Sequence, residues 1–180
     1  MKRIYCLEDW CVNCRRCEVA CKTAHSVSHD TVKAYLLEGQ TAFSRIHVEG
    51  GAELSISVNC RHCDNPRCVE GCISGAMQKD PETGVVFCDQ SRCVGCGTCV
   101  AMCPYGCVEL HVLPGAPGKK GVAFKCDMCG DGKGSFGDPA CVAACPSGAL
   151  IYVDEEPKPE PEPLEEEATE EETAEKEVLA

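Results

Sequence analysis

The residues of this chain best suited to chemistry are cysteines at short, fixed intervals. In CVGCGTCVAMCP, Cys93, Cys96 and Cys99 fall three apart and Cys103 follows four on, directly before Pro104. Three thiolates on a tight, glycine-containing turn can reach three corners of one four-iron cluster, while the fourth, carried onto the following helix, points away. One such motif therefore implies a partner. Three more are present: Cys11, Cys14, Cys17 and Cys21 in CVNCRRCEVAC; Cys60, Cys63, Cys68 and Cys72 in CRHCDNPRCVEGC; and Cys126, Cys129, Cys141 and Cys145 in CDMCGDGKGSFGDPACVAACP.

The elements that must position these thiols are short. Residues 4–21 read as a strand, a ligand loop and the start of a helix. Residues 22–59 carry no ligand-spaced cysteine and read as an insertion over the metal sites, with a helix near Thr31–Leu37 and two strands, FSRIHVEG and AELSISVN, meeting at Gly50–Gly51. SGAMQKDPETGVVFCDQ reads as two strands joined by a Pro/Gly turn. Twenty residues separate Cys72 from Cys93, which makes motifs two and three neighbours and leaves one and four to pair. The fourth motif loops out eleven residues, four of them glycine, between Cys129 and Cys141, a docking surface or a tolerated insertion. After the last cysteine of motifs two, three and four come SGAM, YGCV and SGAL, and Cys6 and Cys88 precede motifs one and three at one offset, so the chain repeats a single unit.

Composition narrows the classes. The chain has 180 residues, 5% aromatic, and 19 cysteines, too little aromatic surface for an ordinary core and enough sulfur for a cross-linked one. No apolar leader or membrane-length run is visible, which predicts a cytoplasmic protein, where such cysteines are more often metal ligands than disulfides. The net charge of -12 is uneven: thirteen acidic residues against two lysines lie from Asp154 onward, leaving about -1 for the rest. Residues 154–163 alternate proline with charge and read as an extended linker; 164–180 are Glu-rich and read as disordered, or as a helix that docks on a partner. Arg15, Arg16 and Lys22 are too few to argue for nucleic acid.

Zinc is the main competitor for these cysteines, but zinc does not need the compact C-x-x-C-x-x-C followed by C-P. Cys6, Cys88 and Cys107 fall outside the motifs and read as packing residues, with a redox-sensing thiol as the alternative. His62 lies inside the second ligand loop and reads as solvated, a hydrogen bond to a cluster sulfur being the other reading. No histidine stands in a catalytic constellation, and no phosphate loop follows a strand, so no enzyme activity is expected of the chain alone.

The strings CRHCDNPRCVEGC, CVGCGTCVAMCPYG and DPACVAACPSGAL resemble the four-cluster ferredoxin-like subunits of dimethyl sulfoxide reductase-type, formate dehydrogenase and hydrogenase complexes, and the electron-transfer partners of anaerobic carbon monoxide dehydrogenases. The resemblance covers residues 1–153; Lys22 and Ile73 stand where the group has proline. It implies an α+β fold of two dicluster modules, the inner about 58–112 nested in the outer, holding four 4Fe-4S clusters. One cluster would take Cys11, Cys14, Cys17 and Cys145, and a second Cys21, Cys126, Cys129 and Cys141. A third would take Cys60, Cys63, Cys68 and Cys103, and a fourth Cys72, Cys93, Cys96 and Cys99. It also implies electron relay between a catalytic oxidoreductase subunit and a second redox protein, without direct membrane insertion. An assembly role, in which tail or insertion joins copies of the chain into a filament, is the reading from another class.

Overall fold

The computed structural model describes residues 1–39, 41–51, 53–113, 121–130 and 138–154. Within them the order is β1 (Arg3–Cys6), a 3-10 turn (Glu8–Trp10), α1 (Arg16–Ala24), α2 (Thr31–Leu36), β2 (Ile46–Gly50), β3 (Ser55–Asn59), α3 (Arg67–Glu70), β4 (Met77–Lys79), β5 (Val86–Cys88), α4 (Thr98–Met102), β6 (Glu109–His111), β7 (Val122–Phe124), α5 (Ala140–Ala143) and β8 (Leu150–Val153). The expected α+β character is present, in pieces of at most nine residues. The linker and tail expected beyond Asp154, and most of the glycine-rich loop of the fourth motif, lie outside the described residues.

Proline decides where helices stop. Cys103 precedes Pro104 and is extended, at φ -83° and ψ 112°, so α4 ends at Met102. Lys22 imposes no such stop, and α1 runs on through Cys21 to Ala24. The insertion that follows forms as its pattern predicts. Asp30 caps α2 by accepting the Lys33 N–H at 2.9 Å. β2 and β3 pair from Ile46↔Asn59 to Gly50↔Ser55. Gly50 sits at φ 118°, and a Cβ there would lie 2.2 Å from the Leu54 carbonyl, so the turn admits only glycine.

All strand pairs among the described residues are two-stranded and antiparallel: β1 with β8, β2 with β3, β4 with β5, and β6 with β7. The β1–β8 ribbon, from Arg3↔Val153 to Cys6↔Leu150, brings the two ends of the described chain together. α1 packs on α5 and α3 on α4. Lone ribbons and single-turn helices are marginal in water, so something central must hold them. That centre is rich in sulfur. One buried group sets Ile4, Ile46, Val48, Met128 and Leu150 among Cys17, Cys21, Cys60, Cys107, Cys126 and Cys141; a second sets Met77, Val86, Val108 and Ala123 around Cys99. No helix among the described residues is long and apolar enough to cross a membrane.

The insertion is fastened to the fourth motif by ions. Asp127 accepts from Arg45 Nη1 and, at 2.9 Å, from His25 Nε2, while His25 Nδ1 faces the Cys21 carbonyl at 2.8 Å. Burial alone would lower His25, but the bonds to Asp127 and Cys21 outweigh it and lift the imidazole to about 9, so both nitrogens donate. Asp127→Ala leaves two mostly buried cations without their acceptor. The expected loss is on the order of 2 kcal/mol, less than for a fully buried pair because Asp127 is 25% exposed. Hydrogen exchange should show it as faster exchange in α1 and β2, with β4 and β5 unchanged.

Candidate metal centres

Each motif turns its loop with residues in the left-handed region. In the third these are Gly95 and Gly97, at φ 67° and 80°. The other motifs use side-chain-bearing residues there: Asn13 and Arg15, His62, and Met128 and Cys129, at φ between 45° and 59°. Such conformations persist where the surroundings over-determine them, which is common at ligand clamps.

The loops and short helices bring thiols of different motifs close together. Cys11, Cys14 and Cys17, from the loop and first turn of α1, line one cavity with Cys145, which follows α5. Cys60, Cys63 and Cys68 line a cavity of about 250 Å³ with Cys103 from the end of α4. Burial raises the Cys141 thiol, and the nearby thiols of Cys126, Cys21, Cys129 and Cys17 raise it further. Burial also raises Cys99, whose sulfur neighbours are Cys93, Cys72 and Cys96. In each of these neighbourhoods thiols of one motif meet a thiol of another.

A sulfur ligand is most useful as thiolate, and the last cysteine of three motifs is shifted toward that form by its own following loop. Gly75, Gly106 and Gly148, at φ 64°, 63° and 69°, turn the chain back so that successive N–H groups face the sulfur. Burial works against ionisation of Cys72, but the N–H of Met77, at 3.3 Å, with those of Ser74 and Ala76, brings the thiol below its ordinary value. Cys145 is lowered likewise, against burial, by Leu150, Ser147 and Ala149. At Cys103 the Cys107 thiol contributes most, and with the N–H groups of Cys107, Tyr105 and Gly106 it brings Cys103 to about 5.

The first motif has no such loop, because α1 continues. Its fourth sulfur, Cys21, instead accepts the Arg45 N–H at 3.3 Å, from the segment leading into β2. Ser57 on β3 places its hydroxyl 3.3 Å from Cys17 Sγ and its N–H 3.3 Å from Cys6 Sγ. The insertion thus covers the first motif and supplies a backbone N–H to its last sulfur. Sequence reasoning missed Arg45 and Ser57. The only available hint was the missing proline at Lys22.

The three remaining cysteines each lie beside a group. Burial first, then Cys11 and Cys145, raises Cys6 to about 11; burial, then Cys93, raises Cys88 to about 12. Cys107 is raised by Cys103 and by burial, and donates its S–H to the Tyr105 carbonyl at 3.3 Å. All three are raised above the ordinary thiol value, as suits packing residues.

His62 corrects its sequence reading as a solvated residue: only 1% of it is exposed. Its Nδ1 accepts the Val86 N–H at 3.0 Å, and burial, then the Lys125 charge, lowers the imidazole to about 3. The proton therefore sits on Nε2, which is buried without a partner among the described residues. An unspent N–H donor in a thiol-rich interior, with N–H groups directed at sulfur, suits a group that carries further sulfur acceptors. The residues fit iron-sulfur clusters.

A family model described as the 4Fe-4S dicluster domain matches residues 53–155. The electron transport protein HydN of Escherichia coli is 40% identical over 153 residues, spanning 80% of this chain and 83% of that protein. An iron-sulfur protein of Rhodospirillum rubrum is 37% identical over 158 residues, 84% of this chain and 81% of the relative. The thiosulfate reductase electron transfer subunit PhsB of Salmonella typhi is 40% identical over 156 residues, 81% of this chain and 71% of PhsB. With more than half of its length matched by that model, and with relatives 40% identical over most of both chains, the chain belongs to the 4Fe-4S dicluster family, among its iron-sulfur electron-transfer proteins.

Proposed function

We propose that the chain relays electrons through four 4Fe-4S clusters, one at each group of four thiols, between a catalytic oxidoreductase subunit and a second redox protein. The grouping supports two modules: an inner one built from motifs two and three, and an outer one built from motifs one and four, closed by β1 with β8. A 4Fe-4S cluster takes up and returns one electron without making or breaking bonds to a substrate. The protein's part is to hold the sites in series and to control their access to water.

The observation that carries a relay, as against a store of isolated sites, is the distribution of exposure. Among the sixteen thiols only those of Cys14 and Cys96 are exposed, and they belong to different groups. The other two groups meet in the interior, where Cys60 lies close enough to raise the Cys126 thiol. The order that follows runs from the Cys14 group through the groups of Cys126 and Cys60 to the Cys96 group. Each end has apolar side chains for a partner to cover: Trp10 and Val12 beside Cys11, at 60% and 66% exposed, and Val94 beside Cys93, at 60%.

PhsB is named as an electron-transfer subunit of a reductase, which supports a catalytic partner of that kind here. Carbon monoxide dehydrogenase, formate dehydrogenase, hydrogenase and tungsten aldehyde oxidoreductase are the candidates that the sequence resemblance brings. The thiols require a reducing compartment, consistent with the cytoplasm.

Protein purified anaerobically should contain about sixteen iron and sixteen sulfide per chain, four of each per cubane. Eight of each would leave one module empty and reject the four-site relay. Removing the iron with a chelator under reducing conditions should abolish most far-ultraviolet circular dichroism, because the short elements then lose their centre. Ligand pairing can be read from serine variants. Cys17→Ser and Cys145→Ser should perturb one electron paramagnetic resonance signal and Cys21→Ser and Cys141→Ser another. Should Cys17→Ser and Cys21→Ser perturb the same signal, the crossed pairing is wrong.

A further inference from the structure

Between the two interior groups lies a cation that the thiol pattern does not require. Lys125 is 4% exposed. Its ammonium donates to the Cys126 carbonyl at 2.7 Å and to the Val86 carbonyl on β5, whose N–H in turn is bound by His62. The lysine therefore ties the fourth motif to the second. Among the described residues it makes no ion pair, whereas Arg45, beside the same Cys21 group, is paired with Asp127. A buried ammonium satisfied only by neutral carbonyls is strongly disfavoured unless negative charge lies nearby.

Asp80 and Asp127 line a cavity with Lys125 but make no ion pair with it, and Asp127 is already bound by Arg45 and His25; the remaining negative charge is that of sulfur. Of the two carbonyls that Lys125 binds, one belongs to Cys126 and the other to Val86, which lines the cavity of Cys60, Cys63, Cys68 and Cys103. Four thiolates around an oxidised cubane core leave each site net negative, and reduction adds one more negative charge.

We propose that Lys125 is the shared counter-charge of the two interior cluster sites and raises the reduction potential of both relative to the two end sites. The reasoning is electrostatic: a fixed positive charge in a medium that screens poorly stabilises the more negative, reduced state of whichever site it faces. The carbonyls of Cys126 and Val86 keep it between the two interior sites. The interior pair would then be where an electron rests between partners. This inference depends on the four-cluster relay proposed above.

The test is a potentiometric titration followed by electron paramagnetic resonance, on full-length holoprotein, comparing the parent with Lys125→Gln and Lys125→Arg. Iron and sulfide are measured first, so a parent without sixteen iron rejects the relay itself and not the role of Lys125. Gln retains a donor for the carbonyls but lacks the charge. It should shift the reduced-to-oxidised ratio of two of the four signals at least tenfold toward oxidised at fixed ambient potential, about 59 mV for a one-electron couple. Those two should be the signals left unperturbed by Cys14→Ser and Cys96→Ser. Arg should keep the parent ratios within threefold. Unchanged potentials in Gln, an equal shift of all four signals, or an Arg variant that behaves as Gln would overturn the proposal. Should Gln fail to load iron, full loading of Arg supports the counter-charge, and failure of both makes the lysine a structural tie only.

Discussion

Everything in this fold depends on holding thiolates in a place with little water. The chain has too few large apolar side chains to build a core without them, and its sheets are pairs of strands three to five residues long. Buried cysteines occupy the positions that leucine or phenylalanine would fill elsewhere. A thiolate in such a position must be compensated, and the chain supplies backbone N–H groups to sulfur at close to 3.3 Å. Ribbons and helices are arranged around that requirement. They position the donors more than they stabilise one another.

Three motifs meet the requirement locally and one does not. A glycine three residues after the last cysteine lets the chain curl around that sulfur, and this unit serves Cys72, Cys103 and Cys145 alike. At Cys21 the helix continues, and the donor comes from Arg45, twenty-four residues away. The insertion is for that reason part of the site. Its Asp127 anchor returns to the fourth motif, so the residues that cover Cys21 are also those that fasten the insertion.

Charge is distributed along the proposed relay in a physically sensible way. The end groups each expose one thiol, where water can stabilise an added electron. The interior groups have no fully exposed thiol. They have instead a buried lysine, a neutral histidine with an unspent N–H, and an arginine whose charge is balanced by Asp127. Net charge summed over the sequence conceals this, since nearly all the excess acid lies beyond residue 153.

The sequence by itself determined what is local. Cysteine spacing selected a cubane-type site over zinc because three ligands on one turn are a property of a dozen consecutive residues. The strands at residues 46–50 and 55–59, the Asp30 cap and the glycine-turned repeat were readable for the same reason. Tertiary structure decided what depends on residues distant in the chain. His62 reads as a loop residue among polar neighbours, yet β5, twenty-four positions on, buries it and fixes its tautomer. Lys125 reads as an ordinary lysine before a cysteine. It becomes a buried cation because Val86, thirty-nine positions earlier, presents a carbonyl to it. Spacing can specify which atoms bind a metal; the dielectric and the charges that act on that metal come from whatever the folded chain packs against it.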